Sequence, residues 1–133
     1  MRTEAKIKKA LDTAKTIART ILFPVSGTLA VEANASLEIP VPGSYTVFEV
    51  YINVKTAPTG AAIIVDVNKN GTTIFTNQAH RPQISAGVKT GSTSDIDVSA
   101  LTQNDILSVD IDQVGSTIAG ANLVVEIRCT EVV

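Results

Sequence analysis

Beyond Pro24, apolar and polar residues alternate with a period of two, which is typical of β-strands that bury one face. The longest alternating run is Tyr45–Thr56, and the face predicted to point into the core holds Phe48, Val50, Ile52 and Val54. Turn residues separate about eight such runs, which predicts a mainly β domain. The predicted strands are Thr28–Glu32, Leu37–Ile39, Tyr45–Thr56, Ala61–Asn68, Thr72–Thr76, Ile96–Val98, Ile106–Asp112 and Leu123–Thr130.

The last two predicted strands alternate most regularly. Their inward residues are predicted to be Leu107, Val109 and Ile111 in one strand and Leu123, Val125, Ile127 and Cys129 in the other. Short strands at this spacing, joined by turns, are typical of an antiparallel β-sandwich with jelly-roll or immunoglobulin-like topology. The number of strands does not choose between these two topologies.

The residues before Pro24 follow a helical period instead. Apolar residues recur at i, i+3 and i+4 along residues 1–22, and Pro24 cannot continue a helix. The sequence therefore predicts an N-terminal amphipathic helix over residues 1–24 and a β-sandwich domain over residues 25–133. The helix residues predicted to make oligomerisation or docking contacts are Ile7, Leu11, Ala14, Ile17 and Ile21.

An isolated helix of about 20 residues is marginally stable in water, so its apolar stripe needs a covering surface. Three surfaces fit: the helix's own β-domain, another copy in a short coiled coil, or a larger particle. A membrane surface ranks last because the stripe has no aromatic residue before Phe23. No apolar run approaches the length of about 20 residues that spans a membrane, so no membrane partner is expected.

Charge divides the chain at almost the same point. Residues 1–22 carry six basic and two acidic side chains, a net charge of +4, whereas the rest carries five basic and eleven acidic side chains, a net charge of −6. A basic segment on an acidic body favours contact with an acidic partner or a neighbouring copy, although a solvated helix face would carry the same charges. Because the body is acidic and its aromatic residues lie in predicted strands, no nucleic-acid partner is expected.

The residues Asp66, Asn68, Asn70 and Gly71 match the start of a calcium-binding loop. The twelfth position of that loop is Asn77 rather than a bidentate Glu, and both flanks are predicted strands. We therefore interpret the Asn-Gly pair as a hairpin turn. A separate acidic set has oxygen ligands suited to a cation, but such carboxylates also keep a strand face solvated, and the sequence leaves both interpretations open. This set is Asp95, Asp97, Asp105, Asp110 and Asp112.

Other chemistry has little support in the sequence. His80 and Cys129 are the only histidine and cysteine, so an ordinary zinc site cannot form within one chain. No nucleophile motif accompanies His80, and no glycine-rich phosphate-binding motif occurs. We therefore predict a protein that is not an enzyme and that holds no cofactor or metal. The polar residues 77–94 are predicted to form a long surface loop that could carry binding.

Several segments resemble the small β-sandwich virion proteins of tailed bacteriophages, namely head-decoration proteins, head fibres and tail-fibre domains. The resemblance covers roughly residues 25–130 and excludes the N-terminal segment, and its motifs are mainly turn chemistry. The family usually has Gly-Asp where this chain has Asn104-Asp105. The segments are Tyr51–Phe75 with its APTG turn and DVNKNGTTIF hairpin, Arg81–Gly87, Leu101–Asp112 and Gln113–Thr117.

The resemblance implies a non-enzymatic structural protein of the virion, assembled in the host cytoplasm, and it transfers no catalytic residue or cofactor. The implied partners are copies of itself, with a homotrimer favoured, and the phage capsid or other virion proteins. A capsid decoration (cement) or head-fibre protein that docks through the N-terminal helix fits best. The alternative is a receptor- or glycan-binding module of a tail fibre or baseplate, which would bind through residues 77–94. This alternative ranks lower because the chain has no Trp.

Overall fold

A computed structural model describes residues 17–132, and in this range it contains ten β-strands and one short 3-10 helix. The architecture is therefore mainly β, as predicted. The strands are β1 (Ile17–Thr28), β2 (Ile39–Pro40), β3 (Tyr45–Thr56), β4 (Ile63–Lys69), β5 (Thr72–Thr73), β6 (Gln83–Ile84), β7 (Thr90–Thr93), β8 (Ala100–Leu101), β9 (Ile106–Gln113) and β10 (Ala121–Glu131), and the 3-10 helix is Gln78–His80.

The strands form two five-stranded antiparallel sheets. The first sheet has the order β1-β10-β3-β7, with β8 also pairing with β3. The second sheet has the order β2-β9-β4-β5, with β6 also pairing with β4. The chain passes from the first sheet to the second between β3 and β4, and back to the first between β9 and β10. Most strand pairs therefore join residues that are distant in sequence.

Both sheets contribute to one apolar core. The inward residues predicted for β9 and β10 are each 1% exposed or less, so the alternation is confirmed for both strands. Full burial of one such side chain contributes roughly 1.5–3 kcal/mol, so the two strands supply a large part of the stability. These residues are Leu107, Val109, Ile111, Leu123, Val125, Ile127 and Cys129.

Residues 17–24 form a strand, and the helix predicted for this part of the chain is wrong. β1 pairs with β10 in continuous register from Ile17 to Val25, and Phe23 is fully buried while Leu22 is 51% exposed. Ile17 and Ile21 satisfy both the helical i, i+4 spacing and the strand period of two, so the pattern alone could not separate the two structures. The segment forms a strand because it pairs with the edge of β10. A domain boundary after residue 24 would divide β1, and residues 1–16 of the predicted helix lie outside the described residues.

The predicted core face of β3 is correct in its second half only. Val50, Ile52 and Val54 are buried, but Phe48 is 46% exposed and Val47 is buried instead. The register with β10 shifts by one residue at this point, which is the mark of a β-bulge. The extra residue reverses the alternation, so the phase read from one half of the strand cannot be extended into the other.

The Asn70-Gly71 turn joins β4 to β5 as predicted. Both residues have positive φ, 52° and 81°, which is the geometry of a type I′ hairpin turn. The Asn70 side chain also fixes the start of β9, because its Nδ2 donates to Asp105 Oδ1 and its Oδ1 accepts from the Ile106 N–H, both at 2.9 Å. Asn104 has a φ of 72°, so it adopts the left-handed conformation that the Gly of the resembling family would favour.

Two other local predictions are corrected. Residues 77–94 contain the 3-10 helix, β6 and β7, so they are not a plain surface loop. This segment crosses from the second sheet, where β6 pairs with β4, to the first, where β7 pairs with β3. Residues 96–98 form no strand, although Ile96 and Val98 pack against the core and the Val98 N–H donates to Ile74 O at 3.0 Å.

Candidate functional site

Of the five residues predicted to dock on a partner, two lie in the described part of the chain, and both belong to β1. Ile7, Leu11 and Ala14 lie outside the described residues. Ile17 and Ile21 lie on the inward side of β1, where Ile21 is partly buried against the core and Ile17, at the start of the strand, is 37% exposed. Ile21 therefore serves the domain's own core rather than a helix surface.

The outer face of the first sheet carries a cluster of charged and aromatic side chains around Arg128. Its guanidinium donates to Glu49 at 2.7 Å and to Glu126 at 2.6 Å, and it lies 4.5 Å from the centre of the Tyr51 ring. The hydrogen bonds that Arg128 donates to Glu126 and Glu49 raise the pKa of its guanidinium. Beside this cluster, the bulge turns Phe48 outward. Sequence reasoning missed the Glu49–Arg128 contact because it spans 79 residues, and it missed the exposure of Phe48 because a bulge has no clear sequence signal.

The outer face of the second sheet holds a buried carboxylate, Asp66, which is 6% exposed. Its Oδ1 accepts from the Thr73 hydroxyl at 2.6 Å and from the Val67 N–H at 2.8 Å, and its Oδ2 accepts from Gln78 Nε2 at 3.5 Å. Gln78 belongs to the 3-10 helix, which thereby covers the carboxylate. Burial raises the pKa of Asp66 above its ordinary value of 3.8, although these hydrogen bonds act in the opposite direction.

We expect Asp66→Asn to change the pH dependence of stability. Because the pKa of Asp66 is higher in the folded chain than 3.8, ionisation costs the folded state more than the unfolded one. The contribution of Asp66 is thus fully present below pH 3.8 and is lost as pH rises through the folded-state pKa. Relative to Asp66→Asn, the wild type should lose about 1.4 kcal/mol for each unit by which the two pKa values differ. Urea unfolding at a series of pH values measures this difference.

The matched control is Asp97→Asn, for which the slope has the opposite sign. The hydrogen bond from the Asn77 N–H, with that from His80, lowers the pKa of Asp97 below 3.8. Its contribution is therefore present above pH 3.8 and is lost as pH falls through the folded-state pKa. Equal slopes for the two variants would contradict the assignment of Asp66 as the buried carboxylate.

His80 is held in one orientation by two side chains. Its Nδ1 lies 2.9 Å from Asp97 Oδ1, and its Nε2 lies 3.3 Å from Asn77 Nδ2. Asn77 Oδ1 accepts from the Ala79 N–H at 3.0 Å, which fixes the amide so that it donates toward Nε2. The Asp97 carboxylate, the His80 imidazole and the Asn77 amide together stabilise the 3-10 turn.

Arg81 ties this turn to β9. Its Nη1 donates to Asp112 Oδ2 at 2.7 Å and its Nε donates to Gln78 O at 2.8 Å. Asp110, two residues before Asp112, accepts from the Asn34 N–H at 2.9 Å and from Asn68 Nδ2 at 2.8 Å. The carboxylates on the outer face of β9 thus hold neighbouring segments of the chain.

The sequence-predicted acidic set does not gather at one point. Among residues 17–132, no three His, Cys, Asp or Glu side chains lie close enough together to hold a metal ion. Asp105 instead accepts from the Thr102 N–H at 2.8 Å, and this bond lowers the pKa of Asp105. In the calcium-loop match, Asp66 and Asn68 lie within β4, and Asn70 binds the start of β9. These side chains therefore act within the domain's own hydrogen-bond network.

Neither the cysteine nor the surface depression between β1 and β10 suits a small-molecule site. Cys129 is fully buried, burial raises the pKa of its thiol, and its Sγ lies 3.6 Å from Arg19 O. A shallow depression between β1 and β10 has a volume of about 110 Å³, whereas small-molecule pockets usually have about 300–1,000 Å³. The depression is lined by Pro24, Val25, Ser26, Asn122, Leu123 and Val124.

Comparison of the chain with protein-family models finds no match, and comparison with curated proteins also finds none. The described part of the chain includes no helix that has both the length and the apolar character needed to cross a membrane.

Proposed function

We propose that this protein is a non-enzymatic structural component of a tailed-phage particle, a capsid decoration or head-fibre protein assembled in the host cytoplasm. The observation that carries the proposal is the position of the segments that resemble phage virion proteins. Residues 51–75, 81–87 and 101–117 include β4, β5, β6 and β9 with their turns, which are four of the five strands of the second sheet. The resembling segments therefore lie together in one sheet, which supports the proposal.

The finer architecture is part of the same proposal. We propose that the two sheets pack face to face as a β-sandwich of jelly-roll or immunoglobulin-like type. The inward residues of β9, in the second sheet, and of β10, in the first, belong to a single buried cluster, which supports this packing.

We propose that the N-terminal segment docks the domain on the phage shell. Residues 1–16 carry five basic and two acidic side chains, a net charge of +3, ahead of an acidic body. Opposite charges of this kind favour contact with an acidic shell surface or with the body of a neighbouring copy. The apolar residues Ile7, Leu11 and Ala14 would make the contact, and the resemblance implies a homotrimer as the docked unit.

Immunogold labelling of phage particles from the organism that encodes this chain tests the proposal. An antibody against the full-length protein should label the heads. Particles that carry Leu11→Asp should lose this label, whereas Thr13→Asp, a matched change outside the apolar stripe, should keep it. Particles with no label at all would refute the virion assignment, and equal labelling of both variants would refute the docking role of the segment.

The exposed aromatic surface of the first sheet favours a second candidate function. Sugar-binding surfaces often present aromatic rings, and here the outward Phe48 lies near the Arg128–Tyr51 pair. A receptor- or glycan-binding module on a tail fibre or baseplate would use this surface rather than residues 77–94. In the same labelling experiment, gold at the tail tip with unlabelled heads would favour this function.

A further inference from the structure

β1 is the longest strand at the edge of a sheet in the described residues. It has twelve residues and ends the order of the first sheet, whereas β7, at the opposite end, has four. The outermost strands of the second sheet, β2, β5 and β6, have two residues each. Short edge strands are one way in which proteins prevent unwanted strand pairing. Because β1 is long, its edge lacks this protection. Within residues 17–132, no strand pairs with its outer edge.

Pro24 identifies the backbone groups that face this edge. The register with β10 continues through Pro24, which has no N–H, so its nitrogen points away from β10. Its carbonyl accepts from Ser36 Oγ at 2.6 Å, and Ser36 lies outside the first sheet. Backbone groups of alternate residues point the same way, so the N–H and C=O groups of Ala18, Thr20 and Leu22 face the free edge.

We propose that this edge pairs with the β1 edge of a second copy, antiparallel, around a twofold axis at Thr20. Ala18 would lie opposite Leu22 of the partner subunit, and Thr20 would lie opposite Thr20 of the partner subunit. In each copy, three residues have backbone groups that face the free edge, and together the two copies make about six backbone hydrogen bonds. The first sheets of both copies then become one continuous sheet. The pairing ends at Pro24, which cannot donate and whose carbonyl is already bound to Ser36.

The side chains fit this register. Leu22 is 51% exposed and would pack beside Ala18 of the partner subunit, which removes apolar surface from water. The threonines at the axis would form a cross-strand pair, a favourable combination in antiparallel sheets. Arg19 would lie opposite Ile21 of the partner subunit, so the register places no like charges directly across from each other.

A second copy fits the edge better than the chain's own N-terminal segment. Residues 1–16 are rich in Ala and Lys, which are depleted in strands, whereas Ile17–Phe23 includes the β-branched residues Ile17, Thr20 and Ile21. The strand edge is also self-complementary, which is the requirement of a twofold interface. The inference does not depend on the virion assignment. If the N-terminal segments also form a trimer, the twofold contact joins two trimers into a hexamer.

Light scattering on a sizing column, applied to the full-length chain and to Thr20→Pro, tests the pairing. The wild-type mass should be an even multiple of the 13.9 kDa chain mass, and Thr20→Pro should halve it. The new proline removes an N–H that faces the free edge, as Pro24 already does, so the ladder with β10 is retained. Far-ultraviolet circular dichroism checks that the variant is folded.

Cysteine cross-linking tests the same axis without a proline. Residues in a hydrogen-bonded antiparallel pair have Cα atoms about 5.5 Å apart, which a disulfide can join. Thr20→Cys should therefore give a covalent dimer on mild oxidation. Thr46→Cys should not, because Thr46 is exposed on the same face of the sheet but lies in β3, away from the free edge. The inference would be overturned by a monomeric or trimeric wild type. It would also be overturned if Thr20→Pro folded without changing the mass, or if both cysteine variants cross-linked equally. Each of these results leaves the labelling test of the virion proposal unaffected.

Discussion

Replacing Phe23 with alanine is expected to lower the free energy of unfolding by about 3–5 kcal/mol, as truncation of a buried aromatic side chain usually does. Phe23 is 0% exposed, belongs to the buried apolar core, and lies opposite Val125 of β10. Small domains have a total stability of about 5–15 kcal/mol, so the variant should be largely unfolded at moderate urea concentrations that the wild type withstands. Equilibrium urea unfolding followed by circular dichroism measures the difference.

Leu22→Ala is the matched control, because the two residues are neighbours and both are large and apolar. Leu22 is 51% exposed on the opposite face of the strand, so its truncation should change the unfolding free energy by about 0.5 kcal/mol or less. Similar losses for the two variants would contradict the strand assignment, since in a helix Leu22 and Phe23 would not be separated onto opposite faces. The measurement should be made where the chain is monomeric, because Leu22 also lies in the proposed pairing edge.

Replacing Gly91 with alanine is also expected to be strongly destabilising, with a loss of more than about 3 kcal/mol. Added methylene groups in a packed core usually cost about 1–3 kcal/mol, and this case exceeds that range because the obstacle is backbone. A Cβ atom on Gly91 would lie 1.7 Å from Gln83 O and 2.6 Å from Gln83 C. Gly91 pairs with Ile52 in the first sheet, while β6 belongs to the second, so relief of the clash must move β7 or β6. Thermal unfolding, with urea unfolding as a second probe, measures the loss.

Gly43→Ala provides the control for this prediction. A Cβ atom there would meet the Tyr45 ring at 3.6 Å, an ordinary van der Waals contact, and the φ of Gly43 is not positive. The substitution should therefore change stability by about 0.5 kcal/mol or less. If Gly91→Ala were equally mild, the close approach of β6 and β7 would be wrong.

Much of the β architecture follows from local sequence patterns. The Tyr45–Thr56 strand was predicted with the bounds that the structure has, and the Asn70-Gly71 turn was predicted from the positive φ that the two residues tolerate. The alternation of β9 and β10 placed their inward residues correctly, because neither strand has an extra residue between those positions: the bulge beside β10 lies in β3. In each case, neighbouring residues along the chain contain the whole signal.

The errors share one physical cause, which is that a distant strand decides the local structure. Residues 17–24 have apolar positions that fit a helix, yet they pair with β10, about a hundred residues later in the chain, and edge pairing overrides weak helical preference. The two-residue strand β6 and the strand β7 have few apolar residues and exist because longer strands lie beside them. Phe48 was predicted to be buried because the alternation was extended through the whole strand. Alternation alone cannot reveal the bulge opposite Arg128 and Cys129.

The candidate surfaces were less predictable than the fold. The sequence located His80, Arg81 and the aspartates, but it could not pair His80 with Asp97 or Arg81 with Asp112, because those pairs span 17 and 31 residues. The calcium-loop match placed Asp66 and Asn70 near each other in sequence, whereas the structure directs one toward Thr73 and the other toward β9. The predicted docking residues Ile7, Leu11 and Ala14 remain predictions, because they lie outside the described residues.

The sequence by itself determined the mainly β class, the hairpin turn and the apolar faces of the final strands, since each depends on residues that are close along the chain. Only the tertiary structure decided that residues 17–24 are an edge strand, that Phe48 lies on the outer face of the first sheet, and that Asp66 is buried. These features depend on which distant strands become neighbours. Strand pairing at long range is set by the total burial and hydrogen bonding of the whole domain, which no local pattern records.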